Sequence, residues 1–294
     1  LATIRNNGTR LPLMLLRTPT PSRLAEVVQL ADISLVSDAG TIERLSDAAV
    51  SLGKQHKVIL MIDLGDLREG IWPDRTGQVL RRVFSLPNLE VIGLGANLAC
   101  YGGVIPTTEK MQQLVDLRAE LEKSLSIPLP VLCGGNSANL PLLLAGGMPP
   151  GINLLRIGES ILLGRNVLDR SPLPGTRQDT FHLVAEIIEL ERKPSIPIGL
   201  RGQDAFGGEP EFVDRGVRKR AICNIGRQDV VIDNLTPVDP GVIILGGSSD
   251  HLLLDVEDAS QDYKTGDEVV FLPGYGALLA ASTSPYVKKV VVKA

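Results

Sequence analysis

The chain has 294 residues, of which 44% are hydrophobic, 22% charged and 3% aromatic, and its formal net charge is −4. This composition is typical of a soluble globular protein with a substantial core, and the many small aliphatic residues are typical of an α/β enzyme. The negative charge and the shortage of aromatic side chains argue against nucleic acid or an anionic membrane surface as a partner.

The first half of the chain alternates short apolar runs with amphipathic segments. The apolar runs predict six parallel strands buried on both faces, at Leu11–Leu16, Ile33–Val36, Val58–Asp63, Glu90–Leu94, Leu129–Cys133 and Asn153–Ile157. The amphipathic segments predict five helices, at Ser22–Leu30, Gly40–Leu52, Arg75–Phe84, Thr107–Leu125 and Ser137–Ala145. This alternation predicts a parallel sheet with right-handed crossovers, either doubly wound or closed into a barrel.

The start of the chain has the pattern of a helix end, with Gly8 as its cap. A (β/α)8 barrel needs eight strand–helix units, whereas the sequence predicts six. If the sheet is a TIM-type barrel, we therefore expect its first two units to be missing before Leu1.

The pattern changes after about Phe181, where short strands separated by turn residues replace the helices. The predicted strands are Phe181–Leu190, Val217–Asn224, Val230–Asp233, Val242–Gly246, Leu252–Val256, Glu268–Leu272 and Val287–Lys293. They predict an all-β domain over residues 181–294, after a partial barrel over residues 1–170. The predicted boundary is the segment Ser171–Gly175.

The three cysteines, Cys100, Cys133 and Cys223, are widely spaced and form no pattern typical of disulfide-rich or zinc proteins. The longest apolar runs are too short to span a bilayer. We therefore expect no metal site, no membrane partner and a cytoplasmic location.

Polar or glycine-rich segments follow four consecutive predicted strands, where a barrel places its active site. These segments are Asp63–Gly70, Gly95–Gly103, Gly134–Ser137 and Arg156–Ser160. The last two lead into helix N-termini, whose free backbone N–H groups and positive dipole end bind phosphate. The sequence thus predicts an anion site for a cofactor or a substrate.

Each of these segments taken alone also has a purely structural interpretation. Ser137 is a good helix N-cap, and Arg68 could pair with Glu69 on the surface. Arg156 could be a solvent-facing cation, and Asn97 a turn residue. Their shared position at one end of consecutive strands favours the functional interpretation.

Asp63–Gly70 resembles the D-T-G-M-x-R-x-G motif of alanine racemases, Asn136-Ser137 resembles their N-S pair, and Arg156-Ile157-Gly158 resembles their R-x-G motif. Several later segments resemble the ornithine racemase branch of that family. They are Leu98–Gly103, Pro194–Gly199, Asp204–Gly207, Arg218–Ala221, Gly226–Asp229 and Ser248–His251. The resemblance covers essentially the whole chain.

The resemblance implies a barrel that binds pyridoxal 5'-phosphate, followed by a β domain, in a homodimer. It implies racemisation of a small amino acid, ornithine or a related diamino acid, by two-base proton transfer at Cα. Ser137 and the Gly158 N–H would hold the cofactor phosphate, with Asn136 and Glu159 in the same site. Arg156 would face the pyridine nitrogen and keep it unprotonated, which favours reprotonation of the carbanion over transamination.

By the same resemblance, Arg68 would reach the phenolic oxygen of the cofactor ring or the substrate carboxylate. Asn97 stands where alanine racemases have a histidine against the ring.

Two departures from the family pattern concern the catalytic bases. The lysine that carries the cofactor ends the first barrel strand of the family, and that strand is absent here. Lys57 precedes its strand, and Lys54, Lys110 and Lys123 have the pattern of helix-surface charges. We therefore expect an N-terminally incomplete racemase that lacks this lysine.

The second departure is at Pro197-Ile198-Gly199, which is followed by Leu200 instead of the catalytic tyrosine of alanine racemases. A racemase needs a proton donor on each face of the carbanion. The candidates for the second face are Asp204, which we favour, and Tyr275, Tyr286 and His251.

Asp204 could equally stabilise its own turn. The acidic residues Asp204, Glu209, Glu211 and Asp229 could bind the distal ammonium of a diamino acid or could be solvated loop charges.

Three alternatives to a racemase remain open. The chain could be a decarboxylase or aldolase of the same fold, a non-catalytic protein of pyridoxal-phosphate homeostasis, or an inactive fragment. Arg156 and the motifs that resemble ornithine racemase argue against the first alternative, and the β domain argues against the second.

Overall fold

A computed structural model describes residues 1–292 of the chain. The protein forms two compact units. Unit 1 consists of Leu1–Ile161 and Arg165–Leu173. Unit 2 consists of Leu162–Gly164 and the residues from Pro174 onward. The change of unit after Leu173 falls within the segment Ser171–Gly175.

Unit 1 contains a parallel sheet whose strands are hydrogen-bonded to one another in chain order. The strands are β1 (Met14–Leu15), β2 (Ile33–Val36), β3 (His56–Ile62), β4 (Leu89–Ala96), β5 (Val131–Asn136) and β6 (Leu154–Arg156). A sheet that adds each strand beside the previous one has the strand order of a barrel, whereas a doubly wound sheet reverses its order. The prediction of a TIM-type α/β fold is therefore confirmed.

Seven helices in the described part of the first half accompany these strands. They are α1 (Ala2–Asn6), α2 (Leu24–Leu30), α3 (Ala39–Ser51), α4 (Thr76–Val83), α5 (Thr108–Leu125), α6 (Leu140–Leu144) and α7 (Glu159–Leu163). Two of them start at side-chain N-caps: Asp38 accepts a hydrogen bond from the Thr41 N–H (2.7 Å) and Thr107 accepts one from the Lys110 N–H (3.2 Å).

Both faces of the sheet are covered by apolar side chains. In β3, Val58, Leu60 and Ile62 belong to the core shared with the helices. Ile59 and Met61 point to the opposite face, where a second cluster includes Leu35 and Ile92. Burial on both faces explains the continuous apolar runs of the strands in the sequence.

Three predictions in unit 1 differ in detail from the structure. The strand predicted at Leu11–Leu16 is reduced to Met14–Leu15, since only these two residues pair with β2. The helices predicted from Ser22 and Ser137 each begin with a 3₁₀ turn, at Pro21–Arg23 and Ser137–Asn139. Such turns are frequent at helix N-termini.

Unit 2 is built on an antiparallel sheet, which confirms the prediction of a C-terminal β domain. Its strands are β7 (Leu183–Pro194), β8 (Val217–Cys223), β9 (Leu235–Pro237), β10 (Ile243–Gly247), β11 (Leu252–Asp255) and β12 (Glu268–Pro273). They lie in the order β10-β11-β8-β7-β12-β9. The long strand β7 pairs with β12 at its start and with β8 from Ile187 onward, with an irregularity between Ile187 and Glu189, so that it joins the two halves of the sheet.

Two local predictions in unit 2 are wrong. The strand predicted at Val230–Asp233 is replaced by a 3₁₀ turn at Ile232–Asn234, which precedes β9. Helix α8 (Tyr275–Thr283) occupies a segment for which no helix was predicted. Its start is fixed by Asn234, whose carbonyl accepts a hydrogen bond from the Gly274 N–H (2.7 Å).

The last predicted strand, Val287–Lys293, is also not found. Residues 287–292 form no strand, and Lys293 lies outside the described residues, as does Ala294.

Candidate functional site

The carboxyl ends of β4, β5 and β6 are joined by hydrogen bonds around the Arg156 guanidinium. Its Nη2 donates to the Ala96 carbonyl (2.7 Å) and to Asn97 Oδ1 (3.3 Å), and its Nε lies 3.3 Å from Cys133 Sγ. No carboxylate contacts Arg156 among residues 1–292, and its Nη1 donates no hydrogen bond within that range. The structure thus contains a half-buried cation with unused donors, which is suited to an anion or a lone pair.

Asn97 has an unpaired donor beside this cation. The residue is only 6% exposed, and its Oδ1 accepts hydrogen bonds from Arg156 and from Asn136 Nδ2 (3.1 Å). Because both of these partners are donors, the oxygen of the Asn97 amide must face them and its nitrogen must point away. Asn97 Nδ2 is buried and has no partner among the described residues. A buried donor left in this way indicates an acceptor that is not part of the protein.

Ser137 connects the segments that follow β5 and β6. Its hydroxyl oxygen accepts hydrogen bonds from the Gly158 N–H (3.1 Å) and the Ser160 N–H (3.4 Å), and the side chain is buried. A Cβ at Gly158 would have no atom within 4 Å, so there is space beside this backbone. The Ser137 hydroxyl, whose own hydrogen has no acceptor among the described residues, lies beside two backbone N–H groups at the start of α7, an arrangement of the kind that binds phosphate.

Gly135, two residues before Ser137, is required by its backbone conformation. Gly135 has a φ of +138°, and a Cβ there would lie 2.5 Å from Asn139 Nδ2. Asn139 itself is buried and donates to the Gly134 carbonyl (3.1 Å). Asn136 completes the turn, since its Oδ1 accepts from the Ala138 N–H (2.8 Å) and its Nδ2 donates to the Leu98 carbonyl (2.9 Å). Asn136 therefore positions the site and keeps no free donor for a ligand.

Arg68 lies in the loop after β3 and has partners of two kinds. Its guanidinium pairs with Glu69, which raises the pKa of Arg68, and its Nη1 lies 2.9 Å from the thiol sulfur of Cys100. The pairing with Glu69 is the structural alternative considered from the sequence. The contact with Cys100 nevertheless brings the cation to the loop that follows Asn97.

The loop after β3 is tied to the loop after β4 by Asp66, which the sequence did not single out. Asp66 is 1% exposed, and its carboxylate accepts hydrogen bonds from the N–H groups of Cys100, Tyr101 and Val104. The only signal for Asp66 in the sequence was its place in the Asp63–Gly70 motif, at the position where alanine racemases have methionine.

Glu159 forms an ion pair with Arg170. Burial raises the pKa of Glu159, and the neighbouring Arg170 only partly offsets this effect. The assignment of Glu159 to a cofactor site stays a prediction, because its carboxylate already has a protein partner.

Lys110 is not the simple helix-surface charge that its position suggested. Its ammonium group donates a hydrogen bond to the Leu64 carbonyl (2.8 Å), so it supports the loop after β3.

In unit 2, Asp204 lies in an exposed loop and stabilises its own turn. Its Oδ1 accepts hydrogen bonds from the N–H groups of Phe206 (2.9 Å) and Gly208 (2.8 Å), and these bonds hold the pKa of Asp204 below its usual value. Its role as a second base stays a prediction.

The other candidates for the second base are all in unit 2. His251 Nδ1 lies 3.1 Å from Asp250, while Tyr275 and Tyr286 are exposed. Asp229, predicted either to bind the distal ammonium of a diamino acid or to be a solvated loop charge, is buried and accepts a hydrogen bond from the Ser284 hydroxyl (2.7 Å).

Within residues 1–292 no three His, Cys, Asp or Glu side chains are grouped to hold a metal ion. None of the helices in the same range is long and apolar enough to cross a membrane.

The fold and the site together define a class of protein. A barrel-type parallel sheet carries, at the carboxyl ends of consecutive strands, a group of donors suited to a phosphate-bearing ligand, and an antiparallel β unit follows.

Comparison with known proteins identifies the family. The family model described as alanine racemase, N-terminal domain, matches residues 1–166. Ornithine racemase from Acetoanaerobium sticklandii is 46% identical over 277 residues, which cover 94% of this chain and 78% of that protein. Lysine racemase from Thermotoga maritima is 43% identical over 287 residues, which cover 98% of this chain and 80% of that protein. The chain belongs to the alanine racemase family.

Solved structures agree on the fold. Alanine racemase from Bartonella henselae, with covalently bound pyridoxal phosphate, has a TM-score of 0.63 at 19% identity and covers 93% of this chain and 73% of its own. At this identity the likeness concerns the fold alone.

Proposed function

We propose that this protein is a pyridoxal-phosphate-dependent amino-acid racemase whose substrate is a diamino acid, ornithine or lysine. The observation that carries the proposal is the donor set at the carboxyl ends of β4 to β6. Its unused groups are Asn97 Nδ2 and Arg156 Nη1. Ser137 directly follows Asn136, which donates to Asn97 Oδ1, and Gly158, whose N–H donates to the Ser137 hydroxyl oxygen, lies two residues after Arg156. Donors without an acceptor fit a ligand rich in acceptors and negative charge.

The residues present fit the cofactor. Ser137 and the N–H groups of Gly158 and Ser160 would hold the phosphate. Arg156 would donate to the pyridine nitrogen, and among the described residues no carboxylate pairs with its guanidinium and competes for that donor. When bound, the cofactor withdraws electrons from the amino acid it holds and weakens the Cα–H bond.

Arg68 and Asn97 would orient the bound molecules. The Arg68 guanidinium would bind the substrate carboxylate or the phenolic oxygen of the ring, with Glu69 restraining it. Asn97 Nδ2 would donate to an acceptor on the cofactor or on the substrate. We assign these roles to the barrel domain, residues 1–170, and the second proton donor to the β domain, residues 181–294, with Asp204 as our candidate.

The diamino-acid substrate is supported by the activities for which the two relatives are named, ornithine racemase and lysine racemase. From the motif resemblance of the sequence to the alanine and ornithine racemases we propose a homodimer, and from its widely spaced cysteines we propose a cytoplasmic location.

The test is an assay for exchange and inversion at Cα. The protein, expressed from its own gene, is incubated in deuterated water with pyridoxal phosphate and L-ornithine, L-lysine or L-alanine. We expect D-ornithine or D-lysine carrying deuterium at Cα, with alanine converted more slowly. Inversion is followed by chiral chromatography and deuterium by mass spectrometry.

Variants connect the activity to the site. Arg156→Gln should lower kcat/KM by about 100-fold or more, because a neutral side chain cannot replace the guanidinium. Arg44→Gln is the matched control, since Arg44 lies on α3 and its Nε only donates to the Gly40 carbonyl of its own helix.

Other results would favour the alternatives. Cofactor binding without exchange would favour a non-catalytic pyridoxal-phosphate protein or an inactive fragment, and release of carbon dioxide or an aldehyde would identify a decarboxylase or an aldolase. Equal activity in the Arg156→Gln variant and in the wild type would contradict the proposed site.

A further inference from the structure

The loops after β3 and β4 form an interlocked pair at the candidate site. The first loop carries Arg68, and the second begins beyond Asn97 and carries Cys100. Asp66 belongs to the first loop, and its side chain faces the second. It is buried, although it has no cationic partner among the described residues. A buried carboxylate without such compensation is unfavourable unless hydrogen bonds satisfy its oxygens.

The second loop supplies these hydrogen bonds from its backbone. The N–H of Tyr101 donates to Asp66 Oδ2 (3.0 Å), that of Val104 donates to Oδ1 (3.1 Å), and that of Cys100 is shared between the two oxygens (3.4 and 3.3 Å). Ala99 and Gly103 have positive φ angles of 50° and 66°. This conformation turns the N–H groups toward one anion, as in a backbone nest.

The backbones of the two loops also approach closely. A Cβ at Gly102 would lie 2.7 Å from the Asp66 carbonyl oxygen, so this position requires glycine. Two independent features, a carboxylate on one loop and a glycine on the other, thus hold the loops together.

From these contacts we infer that Asp66 is a positioning residue: its carboxylate locks the loop after β4 against the loop after β3 and thereby fixes the Arg68 guanidinium beside Cys100 and the site. We call this pairing of the two loops through Asp66 the lock. The role of Arg68 toward a ligand rests on the proposed function, whereas the lock does not.

The lock is tested first by hydrogen exchange on the purified protein. In Asp66→Asn, the amide nitrogen faces backbone donors and cannot accept their hydrogen bonds. We expect amide exchange in residues 98–104 to accelerate by about tenfold or more. Asp239→Asn is the matched control, because Asp239 also accepts backbone N–H bonds, from Gly241 (2.9 Å) and Ser260 (2.8 Å), but in unit 2. It should leave exchange in residues 98–104 unchanged.

The position of Arg68 is tested by thiol labelling with iodoacetamide. Cys100 is exposed, whereas Cys133 and Cys223 are buried and burial raises the pKa of Cys223 to about 12, so labelling reports on Cys100. Arg68→Gln should change the labelling rate by about threefold or more, because a cation beside a sulfur alters its reactivity. In the Asp66→Asn background the same substitution should leave the rate unchanged.

The outcomes separate this inference from the proposed function. Equal effects of Arg68→Gln in both backgrounds, or unchanged exchange in residues 98–104, would overturn the lock. Faster exchange with a normal kcat/KM in Asp66→Asn would overturn the positioning role, since at least a tenfold loss is expected. Absence of racemase activity in the wild type would overturn the proposed function alone. If Asp66→Asn fails to fold, Gly102→Ala separates the loops by a different contact and should give the same two results.

Discussion

At the scale of single residues, the candidate site is distinguished by an excess of hydrogen-bond donors. Asn97 turns its oxygen to Asn136 and Arg156, which leaves its buried nitrogen without a partner among the described residues. The acceptors near Arg156 are neutral: a carbonyl, an amide oxygen and a thiol sulfur. The positive charge is therefore retained for a ligand instead of being neutralised within the protein.

Ser137 offers a direct test of the phosphate subsite. Replacing it by alanine removes the hydroxyl and the acceptor for the Gly158 and Ser160 N–H groups. Since a hydrogen bond to a charged group contributes about 1.5–3 kcal/mol, we expect the dissociation constant for pyridoxal phosphate to rise by about 10- to 100-fold. Fluorescence or absorbance titration measures this constant.

The control for this substitution is Ser51→Ala on α3, where the hydroxyl only donates to the Asp47 carbonyl of the same helix. Ser51→Ala should bind the cofactor like the wild type. A Ser137→Ala protein with wild-type affinity would contradict the proposed phosphate site.

At the scale of secondary-structure elements, close approach of strands β4 and β5 sets the geometry of the sheet end. Gly93 pairs with Val131, and a Cβ at Gly93 would lie 1.9 Å from the Val131 carbonyl oxygen. No rotation of a side chain relieves this contact, because the opposing atom belongs to the backbone. The position of Asn136 and Ser137 relative to Asn97 depends on this pairing.

We expect Gly93→Ala to destabilise the protein by about 3 kcal/mol, since overpacking against a fixed backbone forces the strands apart. Gly77→Ala is the same substitution on α4, where the new Cβ would meet only Leu121 at an ordinary 3.4 Å. It should be neutral or stabilising by about 0.5 kcal/mol, because glycine is unfavourable within helices. Urea unfolding of both variants measures the difference, and equal stabilities would show that the strands adjust freely.

At the scale of the whole molecule, each unit has a hydrophobic core of its own. The core of unit 1 lies on both faces of the parallel sheet, whereas that of unit 2 gathers around Phe271 and Ile187. Buried polar groups are the exceptions within these cores. In unit 1, His56 is buried and its Nε2 lies 2.9 Å from the Ser34 hydroxyl.

His56 predicts how stability depends on pH. Burial lowers the pKa of His56, and the nearby Asp32 only partly opposes this effect. The unfolded chain therefore binds a proton at higher pH than the folded chain does. The stability contributed by neutral His56 is complete above the unfolded pKa of about 6.5 and is lost as the pH falls through that value toward the lower folded pKa.

We expect the free energy of unfolding to decrease between about pH 7.5 and 5.5, and this slope to be smaller in His56→Gln, which has no titrating ring. Chemical denaturation at several pH values measures both slopes. Parallel slopes in the two proteins would show that His56 does not titrate in this range.

Much of the fold could be predicted from local patterns in the sequence. The order of strands and helices in unit 1 and the β-rich texture of unit 2 are properties of neighbouring residues, since burial periodicity and turn residues act over a few positions. Helix α8 was not predicted, although Ala277–Ala281 is rich in helix-forming residues. What starts the helix is a contact with Asn234, which lies far away in sequence.

Local sequence patterns were sufficient to predict the succession of elements, the place of the polar motifs at the carboxyl ends of strands, and the family. Which polar groups already have hydrogen-bond partners became known only from the folded chain. Asp66 and the N–H groups that it binds are 34 to 38 residues apart, and Asp229 and Ser284 are 55 apart. A hydrogen bond satisfies a buried group only when the fold brings its partner within about 3 Å. The residues next to that group in the sequence do not determine this distance.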